Sequence, residues 1–424
     1  MNHDLLKRVI FDQHEIIRNA HIVPRRYTLD PEANYVITGL RRAGKSTLLY
    51  DMVRNLVSSG IAWERIIYIN FEDERLVDFV STDFQDIPLV QSELSDERGY
   101  YFFDEIQNIQ HWERFARRLA DAGERVHITG SNATMLSGQI ASELGGRFFS
   151  LQVSPYRFDE YLDAKHQDHT GSALYTTREI GRIARHFDEF YRQGGFPESL
   201  RYTSQRAYVE NVYQKVLLGD IAARYKVRNV NALRVLMKKV AETVRNKVSY
   251  STLHNALKGI GFSISKDTLI SYLEYAKEAY LLFSISNATA AFVEREGSPK
   301  YYYSDNGLLG LFLVNRETAL LENEIAVALC DRFGEDLRYL RSSRTGIDVD
   351  FYLPEAGIAI QVAYSIAGEA REREVGNLVR LAKVGSSVTR FLIVTKEEEE
   401  VIDADGISIE VMPAWKFLLG ECGS

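Results

Sequence analysis

The sequence predicts an α/β protein with a parallel sheet in its N-terminal part, a helical module in the middle and a second α/β domain at its C-terminal end. Short apolar runs alternate with helical segments between residues 31 and 160, which is the pattern of parallel strands joined by crossover helices. The strand pattern disappears after this stretch and returns at about residue 300. No internal repeat and no long linker interrupts the chain.

The composition is that of a folded chain. Of the 424 residues 45% are hydrophobic, and only 8 are prolines, which excludes disordered and collagen-like proteins. The net charge of −8 excludes a uniformly basic surface for nucleic acid, although a local basic groove is compatible with it. The 2 cysteines, Cys330 and Cys422, cannot form a disulfide framework, so a reducing compartment is expected.

Residues 1–30 predict a helix followed by a turn at Pro24. This segment carries charges of both signs, unlike a signal peptide. No apolar stretch approaches the roughly 18 residues that a membrane-spanning helix needs. The sequence therefore predicts a cytoplasmic protein that does not enter a membrane.

The predicted domains follow from the strand pattern. A core with a parallel sheet occupies residues 31–160, and residues 161–230 read as a mostly helical lid or connector. A helical module at 231–300 and an α/β domain at 301–424 complete the chain. The strands predicted in the core are residues 35–38, 66–71, 100–104, 126–130 and 148–153.

The sharpest signal is the segment GLRRAGKS at residues 39–46, which matches the P-loop pattern GxxxxGK[ST] and lies between a predicted strand and a predicted helix. In such a loop, backbone N–H groups and the helix N-terminus face phosphate groups. Lys45 would contact the β- and γ-phosphates, and the Ser46 hydroxyl would bind Mg²⁺. The predicted nucleotide-binding residues are Gly39, Arg41, Arg42, Ala43, Gly44, Lys45, Ser46 and Thr47.

Two carboxylates end the apolar strand YYFFDE at residues 100–105. Downstream of a P-loop, such a strand predicts a Walker B motif. Asp104 would then complete the Mg²⁺ site, and Glu105 would act as the general base that activates water. These residues predict an ATPase.

Three further polar residues have a predicted role at the nucleotide site, and each also has an alternative role. Asn132 follows the next strand and would sense the γ-phosphate, or it caps a loop. Arg147 would act as an arginine finger in cis or in trans, or it is an ordinary surface arginine. Arg42 would stabilise phosphate, or it forms a salt bridge with the acidic segment at residues 72–74.

With the segments GLRRAGKSTLL, INFEDERL, YFFDEIQNIQHWE, ITGSN, LGGRFF and GGFPE, the chain resembles a prokaryotic AAA-type ATPase family whose members carry a C-terminal domain of unknown function. The resemblance extends nearly from end to end, to the PAWKFLL tail. It implies ATP as the nucleotide and an additional sheet strand between the P-loop strand and the Walker B strand. It also implies a winged-helix module and a C-terminal fold similar to restriction-type nucleases.

The module at 231–300 independently reads as helix-turn-helix, with helices at 231–245, 251–258 and 266–277. The third would be the recognition helix. Basic residues cluster around 224–247, but the third helix carries as many acidic as basic residues. Contact with DNA and contact with protein partners are therefore both compatible with this module.

The resemblance assigns nuclease-like positions in the C-terminal domain to Glu322 on a helix and Asp350 on a strand, with Asp348 as an alternate. The next strand departs from the pattern. Gln361 is a weaker Mg²⁺ ligand than glutamate, and Ala363 stands where a lysine would orient water. We expect this domain to be nuclease-shaped and catalytically inactive.

The sequence thus predicts an ATPase that uses ATP and Mg²⁺ and couples turnover to a nucleic-acid-related or conformational task. An alternative is a slow ATP-driven switch or scaffold whose C-terminal half binds proteins. An active ATP-regulated nuclease is disfavoured by Gln361 and Ala363. Binding of DNA, binding of protein partners and formation of a homo-oligomer are compatible with either of the first two of these functions.

Overall fold

The computed structural model describes residues 1–136, 138–288, 298–314, 316–384 and 387–420, so Cys422 lies outside the described residues. The chain divides into two compact units. The first contains residues 1–154 together with 278–280, and the second contains residues 155–277 together with 281–424.

The first unit is built on a parallel sheet that has five strands in the described part of the chain, in the order β2-β3-β4-β1-β5. The predicted strands are confirmed to within one residue. Strand β4 lies between the P-loop strand β1 and the Walker B strand β3, as the resemblance implies. The strands are β1 Asn34–Thr38, β2 Ile66–Asn70, β3 Tyr100–Asp104, β4 Arg125–Gly130 and β5 Phe148–Gln152.

Helices accompany this sheet, and the central strands are almost wholly buried, as in parallel sheets whose two faces are covered. The N-terminal helix is an example of how these helices begin and pack. The Asn2 side chain caps it by accepting hydrogen bonds from the backbone of Asp4 and Leu5, and its apolar stripe enters the core. The helices are α1 His3–Asn19, α2 Lys45–Ser58, α3 Asp86–Leu94, α4 Trp112–Asp121 and α5 Gly138–Leu144.

The second unit begins with helices. Residues 216–223 continue one of them as a π-helix, a rare conformation. The three helices predicted for the helical module are present, and Ser249 and Ser265 cap the second and third as their sequence indicates. The helices are α6 Phe158–Ala164, α7 Thr177–Gln193, α8 Gln205–Lys215, α9 Val230–Thr243, α10 Tyr250–Gly259 and α11 Lys266–Glu278.

A mixed sheet follows, with eight strands in the described ranges, in the order β12-β13-β11-β10-β9-β8-β6-β7. The pairs β10–β11 and β11–β13 are parallel, whereas β8–β9 and β9–β10 are antiparallel. The strands are β6 Leu282–Asn287, β7 Lys300–Tyr303, β8 Arg338–Ser342, β9 Ile347–Leu353, β10 Ile358–Val362, β11 Arg390–Thr395, β12 Glu400–Ala404 and β13 Ile407–Pro413.

In the described ranges, four helices are interspersed with these strands: α12 Asn306–Leu309, α13 Glu317–Phe333, α14 Glu369–Lys383 and α15 Ala414–Leu418. Among the residues that the structure describes, no helix is both long enough and apolar enough to cross a membrane.

Candidate nucleotide site

The P-loop connects the carboxyl end of β1 to the first turn of α2. Gly39 has a φ angle of 144°, and a side chain at this position would collide with the backbone oxygen of Val153. Gly44 has a φ angle of 101° and precedes the first residue of α2. Both conformations favour glycine, so the two glycines of the motif are required by the shape of the loop.

Lys45 is buried in this loop, with its side-chain Nζ 3.1 Å from the carbonyl oxygens of Gly39 and Leu40. The side chain of the next residue, Ser46, lies close enough to the Asp104 carboxylate at the end of β3 to lower its pKa. The structure therefore brings together the two residues that were predicted to bind Mg²⁺, with the cationic side chain next to them.

Two distant residues fix the loop, and neither is apparent from the P-loop motif. The Arg25 guanidinium donates to the carbonyl oxygen of Ala43 at 2.9 Å and to that of Ser154 at 2.7 Å. The Tyr280 hydroxyl, which belongs to the same unit, donates to Thr38 Oγ1 at 2.7 Å. Arg25 and Tyr280 thus contact the loop or the strand before it, although they lie 18 and 242 positions away from their partners along the chain.

Asp104 is buried among hydrogen-bond donors. The Tyr68 hydroxyl on β2 donates to Asp104 Oδ2 at 3.1 Å, and the Thr129 hydroxyl on β4 donates to Oδ1. Burial, with a smaller contribution from Glu105, raises the pKa of Asp104, whereas Thr129, Ser46 and Lys45 oppose the rise. A divalent cation would stabilise the ionised carboxylate further.

Glu105 has a left-handed backbone, with a φ angle of 52°. This conformation is uncommon for a residue with a side chain and costs on the order of 1–3 kcal/mol, a strain that clusters at functional sites. Its N–H donates to Thr129 Oγ1 at 3.1 Å, and its carboxylate accepts a hydrogen bond from Gln107 Nε2. Thr129 therefore contacts both acidic residues of the motif.

The remaining predicted residues are placed as follows. Asn132 is buried just after β4. Arg147 precedes β5 at the amino end of the sheet, because Phe148 pairs with Asn34 at the start of β1. It forms an ion pair with Asp121. The structure does not bring Arg147 to the P-loop of its own chain, so a role in a neighbouring subunit stays a prediction.

The acidic segment at residues 72–74 does have an arginine partner in the P-loop. Arg41 donates to Glu72 at 3.3 Å. The sequence offers Arg42, rather than Arg41, as the salt-bridge partner of this segment; Arg42 is exposed and has a φ angle of 66°. The side chain of Arg41 is thus partly engaged by a carboxylate at the edge of the loop.

Comparison with known proteins agrees with this geometry. Residues 32–162 match the model of a family described as an AAA domain. These residues have the P-loop NTPase fold and are similar to AAA domains. A second model, described only as a domain of unknown function, matches residues 184–319.

Sequence similarity to two proteins covers 90% or more of the chain. An uncharacterized protein of Methanocaldococcus jannaschii is 28% identical over 98% of this chain and 95% of its own length. An uncharacterized protein of Haemophilus influenzae is 28% identical over 90% of this chain and 93% of its own. The Walker-type ATPase of Pyrococcus abyssi is similar in structure over 73% of this chain and 95% of its own, with 15% identity and a TM-score of 0.41.

Outside the AAA domain, the predicted nuclease-like positions surround a lysine. Lys300 on β7 is buried, with Nζ 3.2 Å from Glu322 Oε1 and 3.0 Å from Asp350 Oδ1. The Tyr302 hydroxyl also donates to Glu322 Oε1, and Arg245 donates to Oε2. The structure thus brings Glu322 and Asp350 together around an ammonium group, which the sequence prediction did not include.

The third nuclease-like position is engaged with the backbone. Gln361 Oε1 accepts from the N–H of Asp350 at 3.0 Å, and Gln361 Nε2 donates to the carbonyl of Asp348 at 2.8 Å. Ala363 is buried beside it. In the part of the chain that the structure describes, no three His, Cys, Asp or Glu side chains are grouped as a metal site. The nuclease-like assignment of these positions and their inactivity stay predictions.

Proposed function

We propose that the AAA domain binds ATP with Mg²⁺ and hydrolyses it. The observation that carries the proposal is the meeting of four side chains at the carboxyl edge of one parallel sheet. Lys45 and Ser46 come after β1 at the start of α2, Asp104 ends β3 and Glu105 follows it, and the Ser46 side chain is close enough to Asp104 to lower its pKa. Ligands bind at this edge of open α/β sheets.

The donor set fits a magnesium ion. The Ser46 hydroxyl and the Asp104 carboxylate are both hard oxygen ligands, and Mg²⁺ takes its other ligands from water and phosphate. Bound there, the ion would neutralise charge on the phosphates. Lys45 would release the loop carbonyls and donate to the β- and γ-phosphates. Glu105, whose carboxylate lies just beyond Asp104, would accept the proton of the attacking water.

The first test is the substitution Lys45→Ala. Because the ammonium is the side chain that would donate to phosphate, the loss of a charged hydrogen bond of about 1.5–3 kcal/mol should weaken ATP affinity roughly 10- to 150-fold. Affinity is measured by titration with a fluorescent ATP analogue. Lys238→Ala on the exposed face of α9 is the matched control and should bind normally. Equal affinity in both variants would refute the proposed phosphate contact.

We further propose that the second unit acts as a switch that binds a protein partner according to the nucleotide state, and that it does not act on nucleic acid. The observation that favours this candidate is that three basic side chains of the helical module pair with carboxylates of the second unit. Arg245 pairs with Glu322, Lys239 pairs with Glu242, and Lys277 pairs with Glu274. Paired side chains release fewer counterions from DNA, which weakens binding. The winged-helix assignment itself stays a prediction.

The matching experiment is steady-state ATPase activity at low salt with and without single- and double-stranded DNA. On the switch proposal, turnover should change less than about twofold, because few phosphates would be neutralised. Stimulation that decreases steeply with added salt would contradict it and support the nucleic-acid task. Polyglutamate at the same charge concentration serves as the control for nonspecific polyanion effects.

A further inference from the structure

The turn that follows Glu105 carries a polar side chain with an unusual environment. Gln107 lies in the short 3₁₀ turn Ile106–Asn108 and donates from Nε2 to the Glu105 carboxylate. Its other polar atom, Oε1, is buried and has no hydrogen-bond partner among the described residues. The reverse orientation of the amide would place Oε1 against a carboxylate, so the hydrogen-bonding pattern fixes which atom is free.

The free oxygen reaches the carboxyl end of the neighbouring strand. A Cβ added to Gly130, the last residue of β4, would lie 2.7 Å from Gln107 Oε1. The hydroxyl of Ser131, the next residue, is also buried without a hydrogen-bond partner in the described ranges. A buried polar atom without a partner costs about 1–3 kcal/mol, so two of them at one sheet edge need an explanation.

The turn itself is held firmly. The Asn108 N–H donates to the carbonyl of Glu105 at 3.2 Å, and Asn108 Nδ2 donates to the carbonyl of Phe71 at 3.3 Å. The Glu105 N–H is bound to Thr129 Oγ1 at 3.1 Å. The Gln107 amide is therefore presented on a fixed backbone, which is what a positioning group requires.

We propose that Gln107 positions the attacking water together with Glu105, an inference that rests on the proposed ATPase function. Nε2 holds the Glu105 carboxylate in place, and that carboxylate accepts a hydrogen bond from the water. The water oxygen forms a bond to the γ-phosphorus as the bond from that phosphorus to the β–γ bridging oxygen breaks. One water proton passes to Glu105, the other stays on the released phosphate, and the bond electrons leave with ADP.

The test compares Gln107→Met, which has a similar length but neither polar atom, with the wild-type chain. The expected result is a decrease of kcat of about 10- to 100-fold with KM for ATP within about threefold, because a group that positions water acts after ATP is bound. Gln110→Met, the same change at an exposed position nearby, is the control and should keep both constants. Gln107→Met with wild-type kcat would overturn the proposal, as would a parallel loss of ATP affinity and thermal stability.

A second variant separates positioning from packing. Gln107→Glu keeps nearly the same shape but loses the amide donor that holds the Glu105 carboxylate. Its kcat should therefore fall at least tenfold with KM for ATP within about threefold, as in Gln107→Met. A wild-type kcat for Gln107→Glu would contradict the assigned role.

Two variants and the wild-type chain distinguish a failure of the proposed ATPase function from a failure of the role of Gln107. If the wild-type chain and Glu105→Gln release phosphate at the same background rate, the ATPase proposal fails, and the role of Gln107 fails with it. If wild type turns over and Glu105→Gln does not, while Gln107→Met matches wild type, only the role of Gln107 is wrong.

Discussion

Replacing Glu105 by glutamine is expected to leave ATP bound and to slow its hydrolysis about 100- to 10,000-fold. The substitution removes the proton acceptor and little else, since the amide has nearly the same shape and the strained backbone is held by the N–H bond to Thr129. Mg²⁺ binding should persist because Ser46 and Asp104 are unchanged. Phosphate release at saturating ATP measures turnover, and titration with a nonhydrolysable analogue measures affinity.

The control for this experiment is Glu15→Gln on the exposed face of α1, far along the chain from the motif. It should match the wild-type chain in both measurements. Normal turnover by Glu105→Gln would show that another group accepts the proton. If Glu105→Gln instead bound the analogue more weakly but kept the wild-type turnover at saturating ATP, Glu105 would help to build the binding site.

The sequence was sufficient for the parts of this site that are local along the chain. Gly39, Gly44 and Lys45 lie within one loop, and their spacing alone predicts the backbone shape that the structure shows. Asp104 and Glu105 were identified because an apolar strand ends at them. Such motifs combine a local conformation with a local chemical role, so they can be recognised without knowledge of the fold.

The residues that support these groups come from elsewhere and were missed. Thr129 and Tyr68 contact Asp104 from neighbouring strands, and Arg25 and Tyr280 reach β1 and its loop from outside the motif. Their side chains have the right chemistry in many positions of the chain. Only the strand order, which places β4 and β2 on either side of β3, reveals which of them face the carboxylate.

The positions predicted to be nuclease-like show the same division. Glu322, Asp350 and Gln361 were identified from the resemblance, and the structure brings the first two together. Lys300 was not identified, because it lies on β7 within the aromatic segment KYYYSD, whose sequence pattern indicates ordinary core packing. Its position between two carboxylates depends on the pairing of distant elements.

Replacing Lys300 by methionine is expected to destabilise the second unit by about 3–5 kcal/mol, the usual effect of removing one partner from a buried ion pair. Burial lowers the pKa of the Lys300 ammonium, but Glu322 and Asp350 outweigh this effect and raise it, so the group is charged at neutral pH. Burial raises the pKa of Glu322, which would be left without its main neutralising partner. Chemical denaturation followed by circular dichroism measures the change.

The pH dependence distinguishes lost charge compensation from lost packing. A carboxyl whose pKa is raised in the folded state favours folding when protonated, so the deficit of Lys300→Met should shrink as pH falls towards the usual glutamate pKa of 4.5. It should be largest near neutral pH. Adding Glu322→Gln and Asp350→Asn should recover part of the stability, since no buried charge then lacks a partner. Lys238→Met is the exposed control. If Lys300→Met lowered the free energy of unfolding as little as this control does, the ion pairs of Lys300 would not hold the sheet to α13.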